Sequence, residues 1–355
     1  VVGGFNYTIG HLGNITTGYA PKTLDNPDLH WEETSQLNIG LDVRFLTSFN
    51  MVVEVFKKST KGILRTIPIP GYVGVSELPV GNVADMDNKG IEFELGYNKT
   101  FGDLTVSANG NVAYLKNEVT YVNSDADFIA GGAGFQSMGP VTRIQVGQSY
   151  NSFYGYKTDG IFQNWDEINA YVNDAGELTQ PKAAPGDWKW VDTDGDGLIT
   201  EDDKQFLGSS IPKYTFGLTL NAAYKGFDIM VFGQGAAGNQ IFQGLRRLDI
   251  EYSNYQTEAM SRWTGEGSTN DYPRLTANDA NGNFGLMSDF YLEKGDYFRL
   301  KQLQIGYTIK SGLLEKIDVS RFRVYVQTEN LFTFTNYTGY DPEIGGGVYG
   351  IDKGF

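Results

Sequence analysis

Strict two-residue alternation of apolar and polar side chains constrains this chain more than any other feature. Residues 36–45 read Gln-Leu-Asn-Ile-Gly-Leu-Asp-Val-Arg-Phe. Leu37, Ile39, Leu41, Val43 and Phe45 fall on one side; Gln36, Asn38, Gly40, Asp42 and Arg44 fall on the other. Successive side chains of a strand point to opposite faces, so this is a strand with one apolar and one wet face. The pattern recurs at Ile91, Phe93, Leu95 and Tyr97, at Leu104, Val106, Ala108, Val112 and Tyr114, and at Tyr214, Phe216, Leu218 and Leu220. It returns at Leu303, Ile305, Tyr307 and Ile309, and at Phe322, Val324 and Val326.

Tight turns join the runs in pairs at Thr47-Ser48-Phe49-Asn50, Phe101-Gly102-Asp103 and Tyr224-Lys225-Gly226. The remaining connections, 61–87, 116–140, 157–212 and 236–296, read as long polar loops. Short turns at one end and long loops at the other is the layout of an outer-membrane barrel. Runs of about ten residues match the length a tilted strand needs to cross a bilayer, whereas strands of soluble sheets are nearer five or six. The expected fold is therefore all-β, an antiparallel transmembrane β-barrel. Tyr97, Tyr114, Tyr214, Tyr224, Phe227, Tyr297 and Tyr307 would form its aromatic girdles.

No stretch approaches the roughly 18 apolar residues of a spanning helix. The absence of cysteine excludes disulfide frameworks and thiolate chemistry. A net charge of −15 argues against a nucleic-acid partner. The chain begins at Val1, not Met, so the lack of a leader at that point carries no information.

One segment has the spacing of a metal site. Asp192-Thr-Asp-Gly-Asp-Gly-Leu-Ile-Thr-Glu-Asp-Asp203 reads as a calcium loop. Asp192, Asp194 and Asp196 occupy positions 1, 3 and 5, Gly197 makes the turn, and the Leu198 carbonyl falls at position 7. Thr200 would act through water, and Asp203 stands where an EF-hand usually has glutamate. Trp188, Trp190 and Pro185 indicate extended structure before the loop, so Ca2+ would stiffen an extracellular segment, 185–212, and not operate a helical sensor. The two histidines, His11 and His30, have no motif beside them that would make them catalytic or zinc ligands. Trp165, Trp188, Trp190, Tyr252, Tyr255 and Trp263 read as loop aromatics available to a partner or a sugar ring.

Several stretches resemble the SusC/RagA family of TonB-dependent outer-membrane transporters. They are Asn26-Pro-Asp-Leu-His-Trp-Glu32 before Leu37–Asp42, Asp87-Asn-Lys-Gly-Ile-Glu92, and Gly155-Tyr-Lys-Thr-Asp-Gly-Ile-Phe-Gln163. Pro185-Gly-Asp187 through Asp203 to Pro212-Lys213, Tyr297-Phe-Arg-Leu-Lys301, Asn330-Leu-Phe-Thr-Phe334 and Tyr340-Asp-Pro-Glu343 complete the series. The resemblance implies that 1–355 is the C-terminal part of the barrel, about nine or ten strands of roughly 22, without the plug or the final strand. It implies an outer-membrane location in a Gram-negative bacterium, and import of an oligosaccharide or oligopeptide without enzymatic chemistry. A SusD-like surface lipoprotein, the TonB–ExbB–ExbD complex acting through the plug, and membrane lipid would be its partners. Arg44, Glu92, Glu94, Arg321, Arg323 and Glu329 are the lumen-facing candidates. The competing expectation is a soluble or secreted calcium-binding adhesin or glycan-binding module.

Overall fold

The computed structural model describes residues 2–9, 14–67, 71–124, 127–135, 138–246, 254–309 and 319–343. A hairpin of β1 (Val2–Ile9) and β2 (Asn14–Pro21) comes first. Four long strands follow: β3 (Glu33–Phe45), β4 (Phe49–Thr66), β5 (Val80–Phe101) and β6 (Leu104–Val122). The chain then leaves for β7 (Phe128–Gly134), β8 (Pro140–Gln145), β9 (Ser152–Gly155), β10 (Thr158–Ile161), the short helix α1 (Trp165–Ala170), β11 (Trp188–Trp190) and β12 (Gln205–Gly208). It returns as β13 (Tyr214–Tyr224) and β14 (Phe227–Ala237), departs again through β15 (Gln240–Phe242) and β16 (Leu292–Lys294), and ends with β17 (Tyr297–Ile309) and β18 (Phe322–Thr335).

Eight of these strands form one antiparallel wall in the order β18-β17-β14-β13-β6-β5-β4-β3. Register carries the alternation across it, since directly paired residues share a face. Ile39 pairs with Val55, Val55 with Ile91, Ile91 with Tyr114, and Tyr114 with Tyr214. Leu220 pairs with Val231, and Ile305 pairs with both Ile229 and Val326. The resulting apolar face is exposed, with Ile39 at 69% and Val326 at 70%.

The turns at Gly102–Asp103 and Lys225–Gly226 lie where expected, whereas the first falls at Leu46–Ser48, with Phe49 and Asn50 already in β4. Lys225 and Gly226 both have positive φ, 47° and 95°, the backbone of a two-residue primed turn. Aromatic pairs mark both edges of the apolar band. Phe45 stacks on Phe49 at 5.3 Å, and tilted ring pairs join Phe49 to Tyr97 at 4.8 Å and Phe227 to Tyr307 at 4.5 Å, near the short turns. Tyr114 and Tyr214 meet at 5.3 Å near the other edge. From Tyr214 to Tyr224 the strand rises about 33 Å, or about 25 Å across the membrane once tilted by roughly 40°. That is the height of an outer-membrane barrel's apolar band.

Two expectations need correction. Segments 61–87 and 116–140 are not wholly loops, because β4, β5 and β6 continue far beyond the band. Bulges between Thr60 and Ile63 and between Asp85 and Met86 shift the register and erase the alternation in sequence, but pairing persists. Segments 157–212 and 236–296 likewise are not an open loop array. Their described residues, together with those of 128–156, fold into a cap whose core contains Phe153, Tyr156, Trp188, Trp190, Phe242, Tyr272, Phe290 and Tyr291. A smaller core of Ile63, Val83, Ala84, Val119, Val122 and Ile144 joins the extended wall strands to β8.

Candidate functional site

The wall's second face is polar, and register brings most of the expected lumen residues onto it. Glu54 lies opposite Glu92, Arg44 opposite Asn50, and Glu329 opposite Gln302. Glu54, Glu92 and Glu94 line one shallow groove with Asn111 and Thr215. Asn38 donates to Glu54 at 2.5 Å and Asn109 to Glu94 at 2.7 Å, which fixes the carboxylates across strands. Arg323 is paired with Asp228 and stacks over Tyr325. Arg321 lies just before β18 and is exposed.

At the long-loop end, cations on β17 anchor the chain beyond β18. Arg299, 7% exposed, bonds Asp341 at 2.6 Å and also reaches Glu343. Lys301, Gln234 and the Tyr297 hydroxyl donate to Glu343 at 2.7, 2.9 and 3.0 Å. The two motifs Tyr297–Lys301 and Tyr340–Glu343 are thus the two halves of one half-buried ionic clamp, and Tyr297, expected in an aromatic girdle, turns to Glu343 instead, leaving Phe298 to stack with Phe216 of the apolar face.

The cap is stitched from its two chain segments by buried polar groups. Asp187, 1% exposed, takes a forked pair of bonds from Arg274 at 2.7 and 3.1 Å. It also accepts from the Ala184 N–H and the Asn283 side chain at 2.8 Å each. The hydrogen bond to Asp187 raises the Arg274 pKa above its ordinary value. Gln180 spans β11, accepting from the Trp190 N–H at 2.8 Å and donating to the Trp188 carbonyl at 3.0 Å. The Gly155–Gln163 motif delivers Tyr156 and Ile161 into the same core, and Thr158 bonds Asp289 through both its N–H and its hydroxyl. Burial lifts the Asp289 carboxyl above the usual range against those bonds.

This placement corrects the reading of the loop aromatics. Trp188 and Trp190 are core residues, 3% and 1% exposed, and are not free for a ligand. Trp165 and Tyr255 are exposed at 58% each, and the half-buried Trp263 donates to Gln163. Tyr252 and His11 lie outside the described residues. His30 is engaged with Asn82 through its backbone and with the Trp31 carbonyl through Nδ1.

The Asp-rich segment leaves the cap surface directly after β11. Asp192, Asp194 and Asp196 bring carboxylate oxygens within 4.8 Å of one another. Oxygens about 2.4 Å from a shared calcium ion lie at most about twice that distance apart, so the three fit one ion. The loop's own amides hold them: Gly195 and Gly197 donate to Asp192 at 2.7 and 2.8 Å, Asp196 to Asp194 at 3.1 Å, and Leu198 to Asp196 at 2.8 Å. Gly197 has φ +81°, with Asn173 packed against it, so a side chain there would be strained. Asp203 is not in that group. It is fully buried and ties the loop closed, accepting from the Thr193 and Thr200 amides at 2.6 and 2.7 Å. The Asp196 amide draws the Asp194 pKa down, but partial desolvation and the charges of Asp196, Asp203 and Asp192 outweigh it, and the net shift is upward.

A one-sided apolar wall with girdles, short turns at one end and a folded cap at the other defines an outer-membrane β-barrel section. The sequence pattern of the TonB dependent receptor-like β-barrel family matches residues 3–331, and the chain belongs to that family. It is 31% identical to TonB-dependent receptor P3 of Formosa agariphila over 93% of its own length and 32% of that protein's. It is 25% identical to TonB-dependent receptor SusC of Bacteroides thetaiotaomicron over 92% of its length and 31% of SusC's. The chain thus spans about a third of the curated relatives it matches. Its fold is that of the matching part of the RagAB peptide transporter structure, with TM-score 0.75 and 24% identity over 98% of this chain and 36% of that one. Members of this family are outer-membrane transporters.

Proposed function

We propose that this chain forms a wall section and extracellular cap of an outer-membrane importer for an oligosaccharide or oligopeptide. The importer is energised by TonB–ExbB–ExbD through a plug and works with a SusD-like surface lipoprotein. The observation that carries this reading is the eight-stranded wall with a continuous exposed apolar face backed by a charged one. Water would penalise such a face, whereas hydrocarbon does not. The same exposure weighs against the soluble adhesin. Carboxylates such as Glu92 and Glu94 would accept hydrogen bonds from cargo hydroxyl or amide groups, and exposed cap residues such as Trp165 and Tyr255 suit a protein partner. The test is purification of the full-length protein from outer membranes in detergent. A lipoprotein recovered at one-to-one supports the reading, and recovery of the protein in the aqueous fraction overturns it.

We further propose that Asp192, Asp194 and Asp196, with the Leu198 carbonyl, hold Ca2+ as a structural clip, and that Asp203 shapes the loop or contributes an oxygen. At a free ion concentration about 100 times Kd, binding would stabilise the cap by about 2.7 kcal/mol. Calcium should protect the segment from proteolysis, and Asp192→Asn with Asp196→Asn should remove that protection. Proteolysis and melting that ignore chelation would end this proposal.

A further inference from the structure

On the outward face of the wall, three lysines stand in one cross-strand row. Lys57 lies opposite Lys89, and Lys89 lies opposite Lys116. Like charges directly opposed on neighbouring strands repel each other, so the sheet itself gives no reason for the row. Asp87 and Glu118, which face each other across the same two strands, balance it only in part. One Asp87 oxygen is 3.1 Å from both Lys57 and Lys89, and Glu118 is 3.0 Å from Lys116. Three cations against two carboxylates leave a surplus positive charge. The lysine side chains remain 52%, 47% and 56% exposed. Each ammonium carries three donors, so these bridges leave donors for an anion.

Directly beneath the row lies an open groove of about 450 Å3 floored by Leu37, Ile39, Val55, Ile91 and Tyr114. Ile39, Val55, Ile91 and Tyr114 are successive cross-strand partners, so the floor is continuous. Tyr114 belongs to the girdle at the long-loop edge, which places the groove in the outer leaflet and the ammonium groups at its polar boundary. Lysines at that depth extend their heads toward water and leave their stems along the apolar surface.

We propose that this groove and lysine row hold a phosphorylated, acylated lipid of the outer leaflet. Its acyl chains run over Ile39, Val55 and Ile91, and its phosphate bridges Lys57, Lys89 and Lys116. The proposal rests on the outer-membrane reading above. Charge complementarity selects the headgroup, because an anion supplies the negative charge the row lacks and a zwitterionic headgroup would add its own cation. The apolar floor selects a lipid over a free anion, since every methylene laid on it adds affinity.

The test uses the full-length transporter purified from outer membranes and exchanged into a nonionic detergent. It is titrated with lipid A and with dephosphorylated lipid A, and bound lipid is read by native mass spectrometry. The wild type should retain the phosphorylated form in preference. The triple variant Lys57→Gln, Lys89→Gln, Lys116→Gln should bind it roughly 100-fold more weakly, whereas Lys58→Gln, on the polar face, should bind normally. Unchanged binding by the triple variant overturns the proposal, as does equal retention of the dephosphorylated lipid. Inorganic phosphate competing at the same concentration as lipid A would mark a soluble-anion site and overturn it too. A triple variant that inserts and resists heat like the wild type but keeps its lipid refutes only this site. Failure of the wild type to enter the membrane refutes the transporter reading itself.

Discussion

In the wall, apolar side chains lie open, Ile39 at 69% and Val326 at 70%. In the cap, Trp190 and Tyr291 keep 1% and 0%. Both regions belong to one chain and carry abundant aromatic residues. The difference lies in the solvent. A strand that faces hydrocarbon gains nothing by hiding a leucine, and what it must satisfy are its backbone groups, which the ladder does. The cap stands in water and has short strands, so it needs a packed interior and buried ion pairs. The wall is held by register and the cap by packing.

Trp190→Ala should separate the two most sharply. It empties the centre of the cap core at a cost of about 3–5 kcal/mol. Limited proteolysis should find the cap opened while the wall remains inserted. Leu220→Ala in the wall should cost far less in a bilayer, and equal losses at the two sites would break the comparison. Leu220→Arg probes the lipid side, with an expected loss of about 2–4 kcal/mol measured by folding into vesicles.

Asp187→Ala should cost about 2–3 kcal/mol, because it strands Arg274, which keeps 32% of its side chain exposed. Thermal melts of Asp187→Ala, Arg274→Ala and the double variant would give the coupling.

The smallest effects are in pH. The Asp289 pKa is raised in the fold, so its neutral form is favoured there. Cap stability should rise as pH falls through that folded pKa toward 3.8, and Asp289→Asn should flatten that part of the urea-melt profile. At the proposed calcium site, the raised Asp194 pKa would act in the opposite sense. Protons should compete for the site at a higher pH than for an ordinary aspartate, and a calcium titration repeated across pH would show it.

The wall was legible in the sequence because its chemistry repeats every second residue. Leu37 to Phe45 needs no tertiary information to be seen as two-faced. The turns were legible through Lys225-Gly226 and Gly102-Asp103. Hairpin β1–β2 is hidden in the sequence because Gly3 and Gly4 interrupt its alternation, and the upper parts of β5 and β6 are hidden because bulges break theirs. The cap was illegible for another reason. Trp188 and Trp190 lie between polar and acidic residues, and their burial depends on Gln180, Asn281 and Asn283 from elsewhere in the chain. Their spacing in β11 does show one common face, a signal that they share an environment. Spacing alone marks the calcium-type loop, and the structure gathers its first three carboxylates while turning Asp203 to the backbone.

The two-segment make-up of the cap bears on the order of assembly. The described residues of 128–212 and 238–296 flank the β13–β14 hairpin, and bonds such as Asp187–Arg274 and Thr158–Asp289 join one flank to the other. The hairpin acts as a clasp: pairing β13 with β14 brings Lys213 to Ala237 and with them the two half-caps. Closing that short loop first makes the long-range contacts entropically cheaper. A nascent chain would therefore carry an unfinished cap, with Trp188 and Trp190 uncovered, until the second flank has arrived.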